Sequence, residues 1–265
     1  MQVVKAHAYG NDFLLVPAGA VPDRADRGAL ARRVCDRHQG VGADGLILYQ
    51  LQDRGAAMTL FNADGSRSEL SGNGLRCLAA LAARARQLPA GSIVAIDTGA
   101  GTKPLELLAL AGARYTFRAN LGPPADLRQQ EITVGGERLM VSILAMGNPQ
   151  VVVLGPLPDP ARFARLGPAL ATHSMFPAGT NVEFAELEAP DRLRILIWER
   201  GVGPTSSSGT GTSAAAVAAA AHGGAAREID VSAPGGTQRV EWTTAGVHLT
   251  GWAEVILEGE WVAPR

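Results

Sequence analysis

Two short stretches of the chain hold residues whose type and spacing could do chemistry. One is "LSGNGLRCLAALAA", residues 70–83, and the other is "SSSGTGTSAAAVAAAA", residues 206–221. Each places a serine, Ser71 or Ser208, just before a Gly-x-Gly turn that opens an alanine-rich helix. A helix start presents unpaired N–H groups and a partial positive charge. Glycine lets a ligand come close to that backbone, so such a start accepts a carboxylate readily. Capping by the serine explains one turn of this kind without any function. Two turns related by a repeat point instead to a small carboxylate lying between Ser71 and Ser208. The backbones of Gly72-Asn73 and Gly209-Thr210 would then receive it.

The two serines lie 137 residues apart (208 − 71). The same step carries Gly10-Asn11 onto Gly147-Asn148, Leu14-Leu15-Val16 onto Val151-Val152-Val153, Gly42 onto Gly179, and Phe61-Asn62 onto Trp198-Glu199. Alanine matches are cheap in an alanine-rich chain, so the glycine and asparagine matches carry the weight. They predict two halves of one shared fold, related without gaps, with the break after "LGPP" (121–124) and before Leu139. The expected domains are residues 1–120 and 121–265, with the C-terminal strand free to cross back to the first half.

Each half reads as strand, helix, strands, glycine turn, central helix, strands. Helices are expected near 26–38, 74–87, 160–172 and 210–222, and the segments 74–87 and 210–222 are apolar on most faces, as buried helices are. Strand patterns cover "VVKAHA", "FLLV", "LILYQ", "AAMTLF", "SIVAID" and "YTFRAN" in the first half. In the second they cover "LMVSILAM", "QVVVL", "VEFAEL", "RLRILIWE", "REIDVSA" and "VHLTGWAEVILEG". The fold class that follows is α+β: two pseudo-symmetric α/β halves, each a sheet wrapped around a central helix, with the active site expected in the cleft between them.

Other polar residues follow the same repeat. Asn11, Asn148 and Asn181 sit in glycine turns and Asn62 closes a strand, although asparagine is also an ordinary turn residue. "WERGVG" puts Glu199 and Arg200 at the end of an apolar strand, a carboxylate for a substrate amine and a guanidinium for a substrate carboxylate. His7, His38, His173, His222 and His248 form no ligand pattern, and no metal site is expected. Cys35 and Cys77 are too few for a disulfide framework and read as small buried apolar residues. "GVGADG" and "GNGLR" lack the lysine and hydroxyl of a phosphate loop, so a nucleotide site is not expected.

At 265 residues, 46% hydrophobic, the chain can bury a sizeable core without staples. A net charge of −1 gives no footprint for nucleic acid. No apolar run approaches the roughly 18 residues that span a membrane, and the N-terminal stretch reads as a strand rather than a signal peptide. A cytoplasmic protein is expected, and a small polar or zwitterionic ligand and a homodimer are both compatible with the sequence.

Six blocks in order, "AYGNDFLLV", "RHQGVGADGLIL", "LFNADGSRSELSGNGLRCLA", "GNPQVVVL", "AGTNVEFAEL" and "IWERGVGPTSSSGTGTSAAAVAA", closely resemble diaminopimelate epimerase. The resemblance runs over nearly the whole chain. It implies two similar α/β halves and inversion of one α-carbon of diaminopimelate without pyridoxal phosphate or any other cofactor. One residue removes the α-proton and another delivers a proton on the opposite face. In the family both are cysteines, and here both are serines, Ser71 and Ser208. The family's "GNPH" histidine is Gln150 and its "GVGET" glutamate is Pro204, while Glu199 is retained. The implied substrate-holding set is intact: Asn11, Asn62, Asn148, Asn181, Arg200, and the backbone of Gly72, Asn73, Gly209 and Thr210. Serine is several units weaker an acid than a thiol, so proton removal through it needs an auxiliary base. Three readings follow: an engineered pair of serines, a natural branch that uses them with Glu199 as base, or a chain that binds, or eliminates water from, a related hydroxy-amino acid. A binding protein that merely grips a zwitterion is the alternative outside enzymology.

Overall fold

The computed structural model describes residues 1–22, 24–68 and 71–262. The chain divides into two compact units. Unit 1 is Met1–Ala119 together with the chain from Gly251 on, and unit 2 is Asn120–Thr250.

Unit 1 begins with strands β1 (Gln2–Ala8) and β2 (Asn11–Pro17), an antiparallel hairpin. Helix α1 (Arg27–Cys35) then returns the chain to β3 (Gly45–Gln52), parallel to β2. Strand β4 (Gly55–Asn62) pairs antiparallel with β3, and the short β5 (Arg67–Ser68) folds back on it. Helix α2 (Gly72–Ala85) crosses to β6 (Ile93–Thr98), parallel to β4, followed by β7 (Gly101–Ala111) and β8 (Arg114–Asn120). The last strand of the chain, β17 (Gly246–Glu260), enters from unit 2 and pairs with both β1 and β8, which closes the strands into a ring.

Inside that ring lies α2. Leu75, Cys77, Leu78, Leu81 and the alanines 79, 80, 82 and 83 are all buried against Phe13, Leu15, Ile47 and Leu60. A helix enclosed by strands on all sides must be apolar all round and slim, which the Leu/Ala composition supplies. Helix α1 packs outside the ring on Leu14, Val16, Leu46 and Leu48.

Unit 2 repeats the plan. Its strands are β9 (Ala125–Val134), β10 (Glu137–Ala145), β11 (Pro149–Leu154), β12 (Asn181–Ala189), β13 (Arg192–Glu199), the short β14 (Gly203–Thr205), β15 (Glu228–Ala233), β16 (Gly236–Thr243) and the first part of β17. Helix α3 (Pro160–Ala171) makes the parallel crossover from β11 to β12 and packs outside. Helix α4 (Gly209–His222) runs inside, where Ala214–Ala219 are buried against Val152, Ala185, Ile195 and Ile197.

Several elements differ from the sequence expectation. Helix α1 stops at Cys35 because Asp36 turns the chain, its Oδ1 accepting from the backbone N–H of His38 (2.8 Å) and Gln39 (2.6 Å). Helices α2 and α4 each start at the glycine directly after the capping serine. Strands β7, β9 and β16 carry polar or broken patterns and were not expected. The repeat is also not free of gaps. The step is 137 for β2/β11, β4/β13 and α2/α4, but pairing of Phe13 with Gly45 and of Gln150 with Asn181 makes it 136 for β3/β12. For β6/β15 it is 135.

Candidate active site

The two capping serines have nearly the same backbone. Ser71 has φ −138° and ψ 122° and its Oγ accepts from Gly74 N; Ser208 has φ −141° and ψ 126° and its Oγ accepts from Gly211 N. The distances are 3.1 and 3.3 Å. Extended dihedrals at this position are what an N-cap requires, and they turn each hydroxyl toward the open end of its helix. A Cβ added at Gly72 would meet nothing within 4 Å, so a ligand can reach that backbone.

In unit 1 the asparagines near Ser71 belong to a chain of hydrogen bonds. The buried Arg76 donates from Nη2 to Asn73 Oδ1 (2.6 Å) and lies over the Tyr9 ring at 5.7 Å. Asn73 Nδ2 donates to Asn11 Oδ1 (3.2 Å), and Asn11 Nδ2 donates to Asp44 Oδ2 (2.8 Å). Asp44 and Asp12 are both held by Arg37, and Lys5 stands 3.0 Å from Asp12. Burial tends to raise the Asp12 carboxyl, but hydrogen bonds from Arg37 and Lys5 outweigh it and hold the group below the usual carboxylate range. Each amide in the chain is thereby oriented by a charge behind it, as a rigid binding surface needs. Asn62 stands apart from this chain, donating to Ser66 Oγ at 2.9 Å. Among the described residues Ser71 bonds to no carboxylate.

Unit 2 differs in that respect. The row Gln150–Asn181–Glu199 runs across β11, β12 and β13 on the face toward α4, one step past the pair Val182–Trp198. Burial raises the Glu199 carboxyl, while a hydrogen bond from the Ser208 hydroxyl acts in the opposite direction. Ser208 Oγ accepts from the helix N–H and stands near enough to the Glu199 carboxylate to favour its charged form, which places a base behind the hydroxyl. Gln150, fully buried, donates from Nε2 to Asn148 Oδ1 (2.7 Å) and Thr210 Oγ1 (3.2 Å). Asn181 Oδ1 accepts from the backbone N–H of Arg200 (2.9 Å), and Arg200 Nη1 donates to Ala178 O (2.7 Å). The Arg200 side chain lies over Gly179, where φ is +73° and a Cβ would come within 2.8 Å of Cδ.

Ser208, Glu199, Asn181, Arg200, Asn148 and Thr210 therefore gather around one end of α4, and Asn11, Asn73 and Ser71 gather at the start of α2. Arg76, Asp12, Asp44 and Arg37 were missed from sequence. A charged residue in an apolar helix was the available signal for Arg76. Both cysteines are buried, and burial pushes Cys35 up to about 12 and Cys77 higher still, so neither supplies a thiolate. Among the described residues no cluster of His, Cys, Asp or Glu could hold a metal, and no helix is long and apolar enough to cross a membrane.

Paired units of this kind, each a ring of strands about a buried helix, define a fold shared by epimerases and racemases. The chain superposes on a predicted epimerase from Pseudomonas aeruginosa with a TM-score of 0.75 and 14% identity, covering 99% of both chains. It superposes on a hydroxyproline epimerase from Agrobacterium vitis with a TM-score of 0.67 and 18% identity, covering 99% of this chain and 90% of the other. At these identities the likeness concerns the fold alone. Sequence goes further. Residues 3–124 and 142–256 match the diaminopimelate epimerase family, and the chain is 45% identical to the diaminopimelate epimerase of Desulforudis audaxviator over 99% of both chains. The chain belongs to the diaminopimelate epimerase family.

Proposed function

We propose that the chain is a cofactor-independent isomerase that inverts an α-carbon of diaminopimelate, interconverting its LL and meso forms for lysine and peptidoglycan precursors. The observation that carries this reading is the Ser208–Glu199 pair at the N-terminus of α4. Ser208 Oγ takes the substrate α-proton as its own proton passes to Glu199, and Ser71 gives its hydroxyl proton to the opposite face of the resulting carbanion. Solvent then takes the proton from Glu199 and returns one to Ser71, which resets the site. The helix-start N–H groups at Gly72-Asn73 and Gly209-Thr210 stabilise the charge that builds on the α-carboxylate. Asn11, Asn62, Asn148 and Asn181 orient the polar groups of the substrate, and Arg200 takes the distal carboxylate. A small zwitterion suits a chain of net charge −1, and we place the enzyme in the cytoplasm with its precursor pool.

A second reading rests on the asymmetry of the two serines. Among the described residues only Ser208 has a carboxylate behind it, so proton removal from one face is better supported than inversion. Elimination of water from a hydroxy-amino acid needs no more than that. Incubation with LL- and meso-diaminopimelate in deuterated water separates the readings. Solvent deuterium incorporation from both configurations, with inversion, is expected. Exchange from one configuration without inversion favours the second reading, and no exchange with either substrate refutes the epimerase.

A further inference from the structure

Glu183 is a carboxylic acid in the floor of unit 2 with no counterpart in unit 1. It is fully buried, and among the described residues neither carboxyl oxygen has a hydrogen-bond partner. Most buried polar groups are paired, and an unpaired one lowers stability unless something is gained by it. Strand register shows what surrounds it. Glu183 pairs with Val152 on β11 and Ile197 on β13, one residue pair deeper than the row Gln150–Asn181–Glu199. In unit 1 the same row is Leu15–Ile47–Leu60, wholly aliphatic. The two helix starts report the same equivalence. A Cβ on Gly74 would meet Ile47 Cδ1 at 3.3 Å, and a Cβ on Gly211 would meet Glu183 Oε1 at 2.4 Å. The fold therefore accepts an isoleucine at this place, and unit 2 carries a glutamate aimed at the start of α4 instead.

Its neighbours are few. On this face β11 presents Gln150 and Val152, β13 presents Ile197 and Glu199, and α4 presents Gly211 and the alanines beyond it. Glu199 is the one titratable group among them. Diagonal neighbours across antiparallel strands stand roughly 7–8 Å apart at the backbone, within reach of two glutamate side chains. Burial first, and then the charge of Glu199, drive the Glu183 carboxyl well above the usual range. Two carboxyls so placed do not both ionise, and Glu199, which has a hydrogen-bond donor in Ser208, is the better placed to carry the charge.

We propose that Glu183 is a positioning residue for the Glu199–Ser208 pair: its acid O–H, directly or through one bound water, donates to the Glu199 carboxylate and so keeps that group charged and turned to Ser208. Its proton is kept throughout the reaction. The inference rests on the epimerase reading, in which Glu199 is the base behind Ser208.

The test uses the full chain and two variants, Glu183→Ile, which copies Ile47, and Glu183→Gln, which keeps a donor but cannot ionise. Infrared spectra at neutral pH, taken without substrate, read Glu183 independently of activity. A protonated carboxyl carbonyl band that Glu183→Gln lacks is expected, and absence of that band in the wild-type chain overturns the proposal. The second readout is the pH profile of α-proton exchange with diaminopimelate in deuterated water. Loss of a hydrogen bond to a charged group corresponds to about a 10- to 100-fold change. Glu183→Ile should therefore move the acidic limb of the profile upward by roughly one to two pH units, with Glu183→Gln restoring most of the loss. A wild-type profile in Glu183→Ile overturns the proposal. If the wild-type chain shows no exchange at all, the epimerase reading fails while the infrared result still decides the state of Glu183.

Discussion

Replacing Glu199 by Gln keeps the size of the side chain at the end of β13 and removes its charge. The amide oxygen can still accept from Ser208 but cannot take the proton. A hydrogen bond to a charged group contributes about 1.5–3 kcal/mol against about 0.5–1.5 for a neutral one, so the ground-state loss is on the order of 1–1.5 kcal/mol. The larger effect falls on the transition state. General-base assistance is typically about 10²–10⁴-fold, which corresponds to roughly 2.7–5.4 kcal/mol of barrier. Exchange of the substrate α-proton in deuterated water, followed by NMR, should fall by that factor in Glu199→Gln. Stability should move in the opposite direction. Burial raises the folded-state Glu199 above its ordinary value of 4.5, so the native chain binds more protons than the unfolded one. Stability conferred by the protonated acid is then full below about pH 4 and is lost as pH rises through the folded-state value. Against Glu199→Gln, the wild-type melting temperature should match at low pH and fall behind as pH approaches neutrality. An exchange rate equal to wild type, or a Gln variant that is less stable at neutral pH, would refute the role given to Glu199.

Three further perturbations probe the rest of the site. The double variant Ser71→Cys with Ser208→Cys should raise exchange and inversion, because a thiol at a helix start reaches its anion far more easily than a hydroxyl; unchanged exchange measured by NMR would show that Gln150 and Pro204 have altered the site more deeply. Arg200→Ala should weaken diaminopimelate binding by about 10- to 150-fold, the loss of a charge-assisted contact, as read by calorimetry, and an unchanged affinity would point to a shorter amino acid. Gly211→Ala forces a methyl group to 2.4 Å from Glu183 Oε1, whereas Gly74→Ala meets nothing closer than Ile47 Cδ1 and Ser71 Cβ, both at 3.3 Å. Thermal unfolding should show the former more destabilised by about 1–3 kcal/mol, the usual range for overpacking, and equal losses would contradict the placement of Glu183.

The helix starts were legible because serine followed by Gly-x-Gly before an alanine run has few other meanings, and both serines cap as that pattern requires. Strands β7, β9 and β16 were not, since each is largely exposed or interrupted, as at Pro104 and along "ADLRQQEITV". Residues that act through others were the hardest to see. Arg76 and Asp44 matter through an asparagine placed between them, and that link depends on tertiary contacts rather than on spacing.

Glu183 shows how a single residue of register hides a function. "NVEFAEL" alternates so that Val182 and Phe184 mark one face as core, and the other face then reads as the solvent side. Yet β12 is covered on both faces, by α3 over Val182 and Phe184 and by α4 over Ala185. The uniform step of 137 would set Glu183 against Leu46, whose side chain packs under α1 outside the ring. The loop before β12 is one residue shorter, and Glu183 falls instead on Ile47, beneath the inner helix. Because successive strand residues point to opposite faces, that one-residue difference moves a glutamate from the outer layer to the start of α4. Two halves built to one plan thus come to differ at the place where a base is needed. Unit 1 has an aliphatic floor and Asn62 at the strand end, while unit 2 has Glu183 in the floor and Glu199 at the strand end. Helix starts that are alike in geometry are therefore unlike in acidity, and with serine at both of them the acidity has to come from the carboxyls behind.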